Sequence, residues 1–75
     1  MKGIVYRTYH IVGIAQFNDK TGYWTPRVRV LWRDAGQEQK LELDGPSNRF
    51  QTRDEAEDHA ISMGQDWIDK KNPVP

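Results

Sequence analysis

The chain has no cysteine, and that absence excludes disulfide bridges, thiolate metal sites and a cysteine nucleophile. It has no long apolar run either. Met1-Lys2-Gly3-Ile4-Val5-Tyr6 reaches Arg7 after a patch too short for a secretory leader, and no stretch approaches the length of a membrane-spanning helix. A cytoplasmic location without membrane association is therefore expected. Also missing are a glycine-rich phosphate loop, a nucleophile elbow and any spacing of metal ligands. The two histidines, His10 and His59, have no acid or second ligand converging on them in any expected element, and Asp58 lies about 100° round the helix from His59. We expect no enzymatic activity, no catalytic residue, no cofactor and no metal.

Excess charge of one sign is missing as well, since 11 basic residues balance 11 acidic ones. The balance is not local. Residues 1–33 hold six basic residues against one acid, net +5, and residues 34–75 hold five against ten, net −5. A neutral total of this kind is compatible with one basic and one acidic surface. With 75 residues the chain forms one small domain, 1–71, followed by a tail, 72–75. A domain of this size buries only about 60 % of its unfolded surface, so its few large side chains matter, and Trp24, Trp32, Phe50 and Trp67 are expected in the core.

The clearest strand is Tyr23-Trp24-Thr25-Pro26-Arg27-Val28-Arg29-Val30-Leu31-Trp32-Arg33. Period-two alternation puts Trp24, Val28, Val30 and Trp32 on one face and Tyr23, Thr25, Arg27, Arg29, Leu31 and Arg33 on the other. Pro26 cannot donate to a ladder, so regular pairing is expected to begin after it. Before this strand, Tyr6 to Phe17 is rich in β-branched and aromatic residues and reads as a first strand, joined through the turn residues Asn18 to Gly22. After it, Asp34-Ala35-Gly36 turns into a third strand over about Gln37–Leu43.

Thr52-Arg53-Asp54-Glu55 is a capping box and opens a helix that should stop near Lys71-Asn72-Pro73. Ala56, Ala60, Ile61, Met63, Gly64, Trp67 and Ile68 share one arc of it, and the acids Asp54, Glu55, Glu57, Asp58, Asp66 and Asp69 read as its solvated exterior. Gly64 costs about 1 kcal/mol against alanine in mid-helix, which calls for close approach to the sheet or to a Trp ring. The expected fold is α+β in the order βββα: a three-stranded antiparallel meander with one C-terminal helix on one face.

The other sheet face is then open and carries Arg27, Arg29 and Arg33, with Tyr23, Lys40 from the neighbouring strand, and a contribution from Arg7 or Tyr9. Guanidinium groups among aromatic rings suit phosphate contact and base stacking, so these residues form a candidate nucleic-acid or phosphate-binding surface. The same alternation also suits a solvated strand face, with Glu38 or Glu42 neutralising the arginines from across the ladder. Both readings are open on the residues alone.

The segments Gly-Tyr-Trp-Thr-Pro-Arg-Val-Arg-Val and Arg-Phe-Gln-Thr-Arg-Asp-Glu-Ala-Glu-Asp-His-Ala, within about residues 20–68, resemble a Gly-x-Trp strand and a Phe-x-Thr-x-x-Glu-Ala helix start. Such motifs are shared by small bacterial sheet-plus-helix proteins of unknown function and, more distantly, by the ethylene-response-factor DNA-binding domain and the amino-terminal domains of tyrosine recombinases. The DNA-binding likeness implies an open sheet face in the major groove, with Arg27, Arg29 and Arg33 in the contacting places. It departs from that pattern in the inward placement of Trp24 and the sparse basic run before the first strand. A small binding or accessory module is expected. Its partner is DNA or RNA on the sheet face, or else a protein, bound by self-association of a monomer or weak homodimer or by docking on the acidic helix.

Overall fold

The computed structural model describes residues 1–47 and 49–71. It shows β1 (Lys2–Tyr6), β2 (Tyr9–Asn18), β3 (Tyr23–Asp34), β4 (Gln37–Asp44) and α1 (Arg53–Lys71), with the strands in one antiparallel sheet of order β1-β2-β3-β4. The α+β class is as expected, but the sheet has four strands rather than three. The expected first strand is broken at Arg7-Thr8, where φ values of 50° and 71° turn the chain back so that Tyr6 pairs with Tyr9. Two consecutive positive φ angles are the signature of a two-residue type I′ hairpin. No Gly, Asn or Asp marks it, so the turn is invisible to composition. The expected tail, 72–75, lies outside the described residues.

Pro26 sits inside the central strand with Ala15 as its register partner, so pairing with β2 runs straight through it. Its carbonyl accepts from the Gly45 N–H at 2.9 Å, on the β4 side. In an antiparallel strand the N–H and C=O of one residue point the same way, so the missing donor faces the side where β4 has already ended, at the Arg27–Asp44 pair. Pairing begins after the proline only with β4.

The helix starts as its capping residue dictates. Thr52 Oγ1 accepts from the Glu55 N–H at 3.2 Å, and Asp54 and Glu55 occupy the positive end of the helix dipole. Two glycines set how closely α1 lies on the sheet. A Cβ on Gly64 would stand 2.7 Å from Ile11 Cγ2 and 3.1 Å from Val28 Cγ2, and a Cβ on Gly13 would stand 2.7 Å from the Glu57 carbonyl oxygen. Gly64 therefore answers to the sheet, not to a Trp ring.

Between these contacts the core is aliphatic: Ile11, Val28, Val30, Ala60 and Ile68 are all fully buried. The large rings are not its centre. Trp32 packs with Tyr9 and Trp67 at centroid distances of 5.6 and 5.3 Å, and the Lys71 ammonium lies 4.3 Å from the Trp32 centroid. Trp24 packs separately with Phe17 at 4.9 Å, and Phe50 with His59 at 4.9 Å. All four expected core rings are half-buried, and they close the two ends of the layer between helix and sheet.

Glu57 corrects the reading of the helix exterior. It is only 5 % exposed, its backbone carbonyl lies against Gly13, and its carboxylate is ion-paired with the α-amino group of Met1.

Candidate functional site

Register decides what the open sheet face presents. Arg27 stands opposite Asp44, Arg29 opposite Glu42, Leu31 opposite Lys40 and Arg33 opposite Glu38. Directly opposed side chains on one face are close enough to interact. Arg29 donates from Nε to Glu42 Oε1 at 3.1 Å, with its Nη2 ion-paired to the same oxygen at 3.0 Å. Arg27 donates from Nη2 to Glu42 Oε2 at 3.2 Å, and its Nε is ion-paired with Asp44 Oδ1 at 3.2 Å. Arg33 reaches Glu38 at 3.5 Å, in a pair that solvent screens. Glu42 thus bridges two arginines, and each of the three guanidiniums has a carboxylate partner.

Of the other residues expected here, Lys40 has no ion partner among the described residues, and Tyr23 begins β3. Eight positions along β3 separate Tyr23 from Leu31, the register partner of Lys40, roughly 27 Å at about 3.4 Å per residue, so the two do not share a site. Arg7 and Tyr9 do not join the face either. Arg7 bonds Asp69 on the helix at 3.1 Å, and Tyr9 lies on the helix side among Trp32 and Trp67. Four basic groups and three acids remain on the open face, where the reading of bare arginines predicted a cationic surface.

The ion pairs extend beyond the face. Lys2 Nζ lies 2.6 Å from both Asp54 Oδ1 and Asp58 Oδ1, and Tyr6 donates to Asp69 at 2.8 Å. Hydrogen bonds to Asp54 and then Asp58 hold the Lys2 ammonium above the usual lysine range, and the bond to Asp69 pushes the Tyr6 phenol up. Five of the six basic residues of the N-terminal half therefore pair with acids of the C-terminal half, all but Lys20 in the β2–β3 loop. The +5 and −5 segments interleave and do not form two opposed surfaces.

The salt bridges frame apolar side chains. Val5, Val12, Ile14 and Leu31 lie on the open face, with Val5 66 % exposed. A shallow depression of about 310 Å³ is lined by Ile14, Arg27, Arg29 and Glu42, and another of about 390 Å³ by His10, Leu31, Arg33 and Glu38. His10 faces Val5 and Leu31 across the ladders, and His59 stacks on Phe50. Among the described residues no cluster of three His, Cys, Asp or Glu is arranged to hold a metal ion, and no helix is long and apolar enough to cross a membrane.

The acidic partner of Arg27 and Arg29 was legible in advance as Glu42, because it is two residues from Lys40 on an alternating strand. Asp44 was not, because the expected third strand ended one residue before it. In comparison with known proteins, the chain matches no family model, no curated protein and no solved structure.

Proposed function

We propose that the protein is a non-enzymatic interaction module that associates with a second copy of itself through the open face of its sheet. The observation that carries this reading is the pairing of Arg27, Arg29 and Arg33 with β4 carboxylates, which leaves a nearly neutral face with Val5, Val12, Ile14 and Leu31 uncovered among ion pairs. A surface of this composition suits protein contact. It suits nucleic acid poorly, since each phosphate would have to displace a carboxylate already bound by the arginine.

A second copy fits the charge pattern. The arginines form a column on β3 and the acids form one on β4, next to it in the sheet. A two-fold axis through the face lays each column over the opposite one of the partner, as an isologous interface requires. Overlap of β3 and β4 about such an axis, two strands at about 4.8 Å spacing over roughly 30 Å of length, covers about 300 Å² per copy, so the association expected is a weak one. The slab itself is thin, 43 × 26 × 15 Å, and a second layer would shelter its open side. A cytoplasmic location fits a chain without cysteine.

The test is the molar mass by light scattering from micromolar to millimolar protein, for the wild type and for Ile14→Glu. Concentration-dependent dimerisation lost in the variant is the expected result. A wild type that stays monomeric throughout overturns the reading.

A further inference from the structure

Among the described residues, the cations that carry no carboxylate partner lie away from the sheet face where the arginine alternation drew attention, except for Lys40. Two of them, Arg49 and Arg53, lie at the opposite end of the molecule from Lys71, on either side of the Trp24–Phe50 bridge. The Trp24 N–H donates to the Phe50 carbonyl at 2.7 Å, which joins the start of β3 to the segment leading into the helix. The Arg53 guanidinium lies 5.0 Å from the Trp24 centroid, and that of Arg49 lies 6.0 Å from the Phe50 centroid. A guanidinium held over a ring is oriented without using its in-plane N–H donors, which stay free for a bidentate anion. Neither guanidinium has an ion pair or hydrogen bond among the described residues, and both residues are exposed.

Beside these donors the ring of Phe17 packs on Trp24 at 4.9 Å and is itself 49 % exposed. The patch therefore offers oriented phosphate donors next to an uncovered stacking surface. Stacking on an aromatic ring is available to an unpaired base and not to one inside a duplex. A phosphorylated peptide would use the arginines but would leave the Phe17 ring without a role.

We propose that Arg49, Arg53, Phe17 and Trp24 form a binding site for single-stranded nucleic acid, with the two arginines on successive phosphates and a base on the Phe17 ring. This site is separate from the open sheet face and does not depend on self-association. Two phosphate contacts to a single strand give a salt slope of about −1.4, and affinity in the range of non-specific binding, about 10⁻⁴ to 10⁻⁶ M.

The experiment is fluorescence anisotropy of a labelled mixed-sequence oligonucleotide of about 12 residues, single-stranded and duplex, at several salt concentrations. We expect the single strand to bind more tightly than the duplex, with Trp24 fluorescence responding. Arg49→Ala with Arg53→Ala should weaken binding at least tenfold, and Phe17→Ala should weaken it severalfold. Arg27→Ala with Arg29→Ala and the association variant Ile14→Glu should leave it within twofold. All these positions are exposed or half-buried, and circular dichroism checks that each variant is folded. Absence of salt-dependent binding overturns the proposal. So does equal affinity for the duplex, loss of binding in the sheet-face variant, or equally effective competition by a phosphoserine peptide.

Discussion

Gly64 on the helix faces Ile11 of β2 with no room for a side chain, since an added Cβ would meet Cγ2 of Ile11 at 2.7 Å. Ile11 is fully buried and cannot swing aside. Overpacking of a filled core costs typically about 1–3 kcal/mol, and alanine returns about 1 kcal/mol of helix propensity. Gly64→Ala should therefore lose up to about 2 kcal/mol in urea unfolding, while Ser62→Ala on the exposed side of the same turn should gain a few tenths. A gain in both would mean that the helix is not held where the structure has it.

Glu42 bridges Arg27 and Arg29, so Glu42→Gln removes one partner from two cations at once. The stability change should stay within about 1 kcal/mol, because the groups are partly exposed and the ion pairs are screened. Binding is the more sensitive readout. The variant should gain affinity for oligonucleotides at low salt, with a salt slope steeper by about one unit per phosphate newly contacted. An unchanged slope would mean that carboxylate pairing is not what keeps the sheet face from binding phosphate.

The seam between β1 and the helix titrates at high pH. Lys2 and Tyr6 both have their proton affinity raised by helix carboxylates, above 10.5 and 10.0 respectively. A group with a raised folded pKa contributes stability that is fully present below its unfolded pKa and is lost as pH rises through the folded value. Both contributions should accordingly be fully present and independent of pH around neutrality, and the thermal midpoint should fall above about pH 10. Tyr6→Phe should lower the midpoint at neutral pH and flatten the alkaline decline. An alkaline profile identical to wild type would remove Tyr6 from the account.

Thr8 holds φ 71° in the β1–β2 turn, a conformation unfavourable for a β-branched residue by about 1–2 kcal/mol. Glycine removes that strain but has more freedom to lose on folding. Thr8→Gly should stabilise the protein by about 0.5–1 kcal/mol, read as a higher urea midpoint with an unchanged slope. Arg7 is left in place because it bonds Asp69.

Much of the fold was legible because periodicity and capping act locally. The alternation of β3 correctly put Val28 and Val30 inside, and Thr52 set the helix start at Arg53. The β1–β2 turn was not legible, because Arg7 and Thr8 adopt left-handed backbone without a residue type that signals it. Glu57 was misread for a related reason. Its position on the helix borders the apolar arc, and only Gly13, small enough to admit the helix backbone, decides that it is buried. The open face was half legible: alternation identified the arginines, whereas their partners depend on a cross-strand register that no single strand contains. The Arg49–Arg53 patch was hidden because its members come from Phe17, Trp24 and the helix approach, joined by one backbone bridge.

The charge of the chain changes sign at the β3–β4 hairpin, between Arg33 and the turn at Ala35-Gly36. A cut in that exposed turn would produce a cationic fragment with β1 to β3 and an anionic one with β4 and α1. Each fragment carries the counter-ions of the other, and the helix supplies the apolar cover that the cationic fragment lacks. The two should therefore reassemble when mixed, by long-range attraction that accelerates encounter at low ionic strength and weakens as salt is added. Split in this way, the protein becomes a bimolecular system in which the rate of complementation reads out directly how much its electrostatic interleaving guides assembly.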